Sequence, residues 1–201
     1  MTTISDDAFV RLFQERGGLP IDGWAGRDTL ALLDQLLPPK PSADRNAAAG
    51  EMPEAYWPLL AKIESGNRPY VKAGTSSASG LYQFIKSTWE GEGGRWGADM
   101  SKAFGGLQPS AEEQLARVKS FTAKNATYLR ARGIPINSAS LYAAHFLGAV
   151  TAAAVIGADV NASAERLAGA AATKANPSIL RGKTVGQFLS WLHDKTGAWA
   201  R

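Results

Sequence analysis

Tyr56-Trp57-Pro58-Leu59-Leu60-Ala61-Lys62-Ile63-Glu64-Ser65-Gly66-Asn67 sets the reading of the whole chain. Tyr56, Leu59, Leu60 and Ile63 recur at i, i+3, i+4, i+7, the spacing of one helical face. Gly66 follows, a residue type that readily closes a helix in the left-handed conformation. The spacing predicts a helix over Pro53–Ser65. Glu64 lies near its end, on a face shared with Trp57 and Leu60 and next to the apolar stripe. Partial burial there raises a carboxyl pKa, and the negative end of the helix dipole raises it further. A carboxylic acid still protonated near neutral pH suits proton donation to a leaving oxygen. Placement alone also fits an ordinary helix-edge glutamate near Lys62.

Helical spacing recurs toward the C-terminus. Leu81, Phe84, Ile85 and Thr88 make a second stripe. Ser110-Ala111-Glu112-Glu113 has the form of a capping box opening a third helix, with Leu115, Val118, Thr122 and Leu129 inward and Gly133 closing it. Leu141–Ala158 is a run of 18 residues without formal charge. That length could span a membrane, but its alanine and glycine content, His145 and the lack of flanking anchors favour a buried central helix. Ser138 or Ser140 is placed to cap it. Thr184-Val185-Gly186-Gln187 is a second capping box, with Val185, Phe188, Leu189 and Leu192 as its apolar face. Only Arg68–Ser79, rich in Gly, Ser and Thr, has room for a small hairpin. There is no internal repeat and no long alternating strand, so the predicted fold is mainly α.

Pro38-Pro39-Lys40-Pro41-Ser42-Ala43-Asp44-Arg45-Asn46-Ala47-Ala48-Ala49-Gly50 is stiffened by proline at its start and carries no apolar period. It reads as a linker over 38–50, separating an arm (1–37) from a larger domain (51–201). In the arm, Phe9, Leu12 and Phe13 predict a short helix ending near Gly17-Gly18. The turn Asp22-Gly23-Trp24-Ala25-Gly26 leads into a second helix from Asp28 or Thr29, carrying Leu30, Leu33 and Leu37. Two helices this short bury little area unless they dock elsewhere.

Composition removes several function classes. An apolar fraction of 45% in 201 residues is enough for a core. The absence of cysteine eliminates disulfides, thiolate metal sites and cysteine nucleophiles. With only two histidines, no metal centre is expected. No glycine-rich phosphate loop is present and no cofactor is expected. The balance of 22 basic against 18 acidic residues suits an anionic polymer surface. Basic residues do not alternate with aromatics, so nucleic acid is not an expected partner. Met1-Thr2-Thr3-Ile4-Ser5-Asp6-Asp7 has no basic region leading into an apolar run, so no signal peptide is expected, nor is stable membrane insertion. A monomer is expected.

Three blocks taken in order, Glu64-Ser65-Gly66-Asn67, Gly80-Leu81-Tyr82-Gln83-Phe84 and Ala144-His145-Phe146-Leu147-Gly148, resemble the soluble lytic transglycosylase family and its relative, goose-type lysozyme. In that family a Glu-Ser pair closes a helix and a Gly-Leu-Met-Gln-like segment follows a short loop or hairpin. An Ala-Tyr-Asn-Ala-Gly-like segment begins a later helix. The resemblance runs from Met52 to Trp191. The third block departs from the pattern: His145 stands at the family's Tyr and Phe146 at its Asn, an arrangement similar to phage-associated branches.

The resemblance implies a lysozyme-like helical domain that cleaves the β-1,4 bond between N-acetylmuramic acid and N-acetylglucosamine in peptidoglycan glycan strands. Glu64 would act as general acid and then as general base. Lytic transglycosylases need no second carboxylate, because the muramoyl 6-hydroxyl attacks the anomeric carbon and closes a 1,6-anhydro ring. An inverting hydrolase would add one roughly 6.5–9.5 Å away. Glu90, Glu92 and Asp99 are candidates for it, and each also reads as a solvated loop charge. Lytic transglycosylation is therefore expected. Hydrolytic muramidase action and a catalytically silent wall-binding or virion structural role are the alternatives. By the same resemblance Gln83 is a cleft residue whose amide would bind N-acetyl or hydroxyl groups, and Ser65 would hydrogen-bond Glu64 or the glycan. Tyr82 is core or cleft wall. His145 either orients Glu64 or is a core histidine, and Tyr142 either approaches the site or packs. Trp89 and Trp96 either stack on sugars or belong to the core.

In the arm, Val10–Gln14 and the turn after it resemble part of a peptidoglycan-binding domain. Its Asp-Gly-x-x-Gly-x-x-Thr pattern is met by Asp22, Gly23, Gly26 and Thr29, which implies wall binding. The segment is shorter than the family's three-helix module, so it also fits a structural arm. The two-part layout implies a phage endolysin, made in the host cytoplasm and acting on the cell wall in the periplasm after release by a separate factor. A tail-associated enzyme or a bacterial autolysin would share the layout.

Overall fold

The computed structural model describes residues 5–36 and 52–201, so the expected linker over 38–50 and Leu37 lie outside the described residues. Helix accounts for 59% and strand for 3%, and the fold is mainly α, as the sequence predicts.

The alanine-rich run forms the centre, but as two helices rather than one. Helices α6 (Ser138–Leu147) and α7 (Ala149–Gly157) meet at Gly148, whose φ of 80° and ψ of 149° suit glycine and break the helix. Ala139 through Ala144 are all buried. A helix apolar on every side needs neighbours on every side. They are α5 (Ala111–Arg130), α7 and α10 (Val185–Thr196). The cap of α6 is Asn137 rather than Ser138 or Ser140. Its Oδ1 accepts from the N–H groups of Ala139 and Ser140, and Ser140 Oγ accepts from the Asn137 N–H in return. At α5 only half of the expected box forms. Ser110 Oγ accepts from the Glu113 N–H, but the Glu113 carboxylate turns to Arg117 at 2.6 Å. The Thr184–Gln187 box of α10 is complete.

Helix α3 (Tyr56–Ser65) starts after a turn at Glu54 and Ala55, later than the apolar spacing predicts. Pro58 falls in its first turn, where a missing N–H loses no intrahelical bond. Tyr56, Trp57, Leu60 and Ala61 are buried. The helix ends as expected at Gly66, in the left-handed conformation (φ 61°). The Gly66 and Asn67 N–H groups return to the carbonyls of Lys62 and Ala61.

The second apolar stripe does not lie on a helix. Ser79 pairs with both Lys72 and Phe84 in isolated antiparallel bridges, and α4 (Lys86–Gly91) begins only after Ile85, which is exposed. The expected hairpin is present but extends past Ser79. Gly80 (φ 79°) and Gln83 (φ 49°) both adopt left-handed backbone in its final turn, which spacing alone does not reveal. Buried Gln114 of α5 pins this turn. Its Oε1 accepts from the Leu81 N–H at 2.8 Å, and its Nε2 donates to the Pro69 and Pro109 carbonyls at 3.1 Å each.

A 3-10 turn (Ala103–Gly106), α8 (Ala164–Ala175, interrupted at Gly169) and α9 (Pro177–Leu180) complete the larger domain. In the arm, α1 (Asp6–Arg16) and α2 (Arg27–Leu36) form the expected helix-turn-helix. The apolar stripe of α1 is covered only in part: Phe9 and Leu12 are exposed, Phe13 is half-buried, and Gln14 is the buried residue. Trp24 docks the arm on the larger domain, edge-on against Trp199 with ring centroids 4.9 Å apart. It lies over Gly186, where a Cβ would come within 3.7 Å of the Trp24 ring.

Candidate active site

Glu64 occupies the last turn of α3, where the Gly66–Asn67 closure fixes the backbone. Its side chain is 17% exposed, so one edge reaches solvent and the rest is covered. Burial raises its pKa from an ordinary 4.5 to about 7, against two smaller opposing effects, the Tyr142 hydroxyl and the Lys195 charge. None of these groups is a carboxylate. The acid is thus half protonated near neutrality, the condition under which a single carboxyl can both give and take a proton.

Three side chains from two helices, α3 and α6, close around it. From α6, Tyr142 interacts with Glu64 through its hydroxyl, and burial and the Glu64 charge hold that phenol above its ordinary pKa. From α3 itself, Tyr56 is buried, its hydroxyl has no hydrogen-bond partner among the described residues, and after burial the Glu64 charge is the next influence raising its pKa. His145 on α6 brings Nε2 to 4.0 Å from Glu64 Oε1. That separation is within ion-pair range, but burial lowers the His145 pKa to about 4, so the imidazole is neutral and the contact is not ionic.

The tautomer follows from the partner. Nε2 lies 3.1 Å from the Tyr82 carbonyl, which can only accept, so Nε2 carries the proton and donates it there. Nδ1 is then a bare lone pair, buried without a partner among the described residues. The hairpin turn held by Gln114 therefore sets the ring position beside Glu64. His145 is partly buried, with its side chain 10% exposed, and its ring lies 4.0 Å from the acid.

The remaining expected site residues are placed differently. Ser65 spends its hydroxyl on the helix end, donating to the Ala61 carbonyl at 3.0 Å and accepting from the Arg68 N–H at 3.1 Å. Neither bond goes to Glu64. The Gln83 amide donates to the carbonyls of Gly80 (3.0 Å) and Val71 (3.4 Å), so its NH₂ secures the hairpin and only its oxygen is left for a ligand. Tyr82 is buried and contributes its carbonyl. Trp89 is core, donating its indole N–H to the Arg95 carbonyl, and Trp96 is partly buried against the same core.

The candidate second carboxylates are occupied elsewhere. Glu92 accepts from Lys124 at 2.8 Å and from Ser120 at 2.8 Å, and Asp99 accepts from the Ser101 hydroxyl at 2.5 Å. Glu90 is exposed, 4.0 Å from Lys86. Among the described residues no group of three or more His, Cys, Asp or Glu side chains is arranged to hold a metal ion, and no helix is long and apolar enough to cross a membrane.

In the arm, Asp22, Gly23 and Thr29 turn inward onto Gln14. Gln14 Nε2 lies 2.7 Å from Asp22 Oδ1 and 3.0 Å from Thr29 Oγ1, and Gln14 Oε1 accepts from the Gly23 N–H at 2.9 Å. Gly26 holds the turn next to Trp24, where a Cβ would meet the ring at 3.0 Å. The expected wall-binding pattern thus coincides with the hydrogen-bond set that shapes the turn.

Sequence reasoning missed Tyr56 as a site residue, because its spacing marks it only as part of the apolar face, and Lys195, for which no signal in the sequence exists. Compared with protein-family models and with curated proteins, the chain matches none.

Proposed function

We propose that this chain is a peptidoglycan lytic transglycosylase of endolysin type, acting on the β-1,4 bond after N-acetylmuramic acid. The observation that carries the reading is the buried Glu64 carboxyl with its pKa near 7 and no second carboxylate among the groups acting on it. Protonated Glu64 gives its proton to the glycosidic oxygen as the C1–O bond breaks. The muramoyl 6-hydroxyl then bonds to C1 and returns its proton to Glu64. The 1,6-anhydro ring and the released glycan end balance the reaction without water. Tyr142 interacts with the carboxyl through its hydroxyl, the neutral His145 lies 4.0 Å from it, and neither changes charge in the cycle.

Inversion with water would need a base in reach, and Glu92 and Asp99 are engaged in other contacts. The substrate, the monomeric state and action in the periplasm after release from the cytoplasm by another factor belong to the same proposal. Loss of turbidity of permeabilised Gram-negative cells tests it. The parent protein should clear them and a folded Glu64→Gln protein should not. Binding to purified sacculi without clearing would instead identify a silent wall-binding protein.

A further inference from the structure

Behind Tyr142 lies an aromatic wall that the proton chemistry does not use. Trp191 of α10 packs against Tyr142 (centroids 5.7 Å, planes 32° apart) and against Phe146 (5.1 Å). Phe188, one turn earlier, is fully buried and stacks on Trp191 at 5.6 Å, which fixes the indole from behind. Trp191 and Phe146 are themselves only partly buried, so ring surface remains open next to the residue that touches Glu64. Lys195 follows Trp191 at i+4, on the same face of α10. It is exposed and makes no ion pair among the described residues. Its charge acts on Glu64, and the Trp191–Tyr142 contact sets this face of α10 next to the tyrosine that interacts with the acid.

An indole braced by a buried ring presents a flat apolar face at little entropic cost. The C–H face of a pyranose ring matches such a surface. A cation one helical turn away matches a carboxylate carried by that sugar. We propose that the Trp191–Lys195 face of α10 is the glycan-binding wall of the site. Trp191, with Phe146, holds one pyranose face, and Lys195 takes the carboxylate of the sugar's lactyl group or attached peptide. This inference rests on the reading of the chain as a glycan-cleaving enzyme and adds which side of the site grips the strand. Both residues are substrate-binding and neither enters the proton transfer.

The test measures binding by the full-length Glu64→Gln protein, with and without a second substitution. The probes are soluble peptidoglycan strands stripped of peptide, peptide-bearing strands, and N-acetylglucosamine oligomers, which carry no carboxylate. Trp191→Leu should weaken all three by about tenfold or more, the scale of losing one stacked aromatic. Trp191→Phe should recover most of the loss, and it keeps the test valid if the Leu variant unfolds. Lys195→Met should weaken both carboxylate-bearing strands and leave the oligomers unchanged. An effect on peptide-bearing strands alone would place the carboxylate on the peptide. Unaltered binding of all three probes by folded Trp191→Leu protein would overturn the inference while leaving the proposed reaction standing. If the parent cleaves no glycan and Glu64→Gln binds none, the functional reading fails and this inference fails with it.

Discussion

Glu64 is held in a state that the fold itself resists. A carboxyl whose pKa rises from 4.5 to about 7 costs the native state about 3 kcal/mol once it is ionised. The penalty is absent below pH 4.5, where the unfolded chain is also protonated, grows between pH 4.5 and about 7, and is fully present above that. On the proposed reaction, Glu64→Gln should abolish activity, by about 1,000-fold or more for loss of its acid–base group. It should also raise the melting temperature at pH 8 while changing it little at pH 4. Thermal unfolding of both proteins at the two pH values checks this, and equal melting temperatures at pH 8 would mean that Glu64 is not buried as described. The proposed reaction needs the protonated acid, so its rate should fall as pH rises through about 7. Lys195→Met removes a charge that favours the carboxylate and should move that fall to higher pH. His145 supplies an independent check. With its pKa lowered to about 4, it should remain neutral at pH 6 with the proton on Nε2. Nitrogen NMR of the imidazole reads both properties, and an imidazolium at pH 6 would contradict them.

At the scale of elements, α3 was legible because its apolar period and closing glycine act locally. The same logic failed over Leu81–Thr88. There Gly80 and Gln83 take left-handed backbone, and a glutamine 31 residues beyond Gln83 in the chain supplies the hydrogen bonds that hold the turn. Local spacing carries no trace of such a partner. It also missed the break at Gly148, since glycine within an alanine-rich run reads equally as helix. The hairpin matters because its Tyr82 carbonyl positions His145. Gln114→Leu would leave the Leu81 N–H and the carbonyls of Pro69 and Pro109 without this partner. The expected cost is about 3 kcal/mol or more. For a chain of this size that lowers the melting temperature by about 6–12 °C. Activity should fall further than stability alone explains, because the ring beside Glu64 shifts with the turn. Activity measured well below the melting temperature, alongside thermal unfolding, separates the two effects. A Gln114→Leu protein with parental activity would detach the hairpin from the site.

For the molecule as a whole, the proline-bearing segment suggests a division into arm and larger domain but says nothing of the role of the arm. The pattern Asp22, Gly23, Gly26, Thr29 fits wall binding and fits a turn stabilised on Gln14 equally well, and only the folded contacts show how many of its polar groups face inward. The Trp24–Trp199 contact makes the arm part of the packing of the larger domain. A protein beginning near Gly50 should therefore lose about 2–3 kcal/mol, the scale of one buried indole face. Its melting temperature should drop, and its activity on soluble glycans and on sacculi should fall together. Loss on sacculi alone, at an unchanged melting temperature, would make the arm a tether that raises local substrate concentration.

The predicted activities depend on the proposed action of Glu64 on a glycosidic bond. Mass spectrometry of purified peptidoglycan digested by the parent protein and by Glu64→Gln addresses that directly. Transglycosylation predicts muramoyl ends one water lighter than reducing ends from the parent, and no new ends from Glu64→Gln. Reducing ends from the parent, or continued cleavage by a folded Glu64→Gln protein, would contradict it.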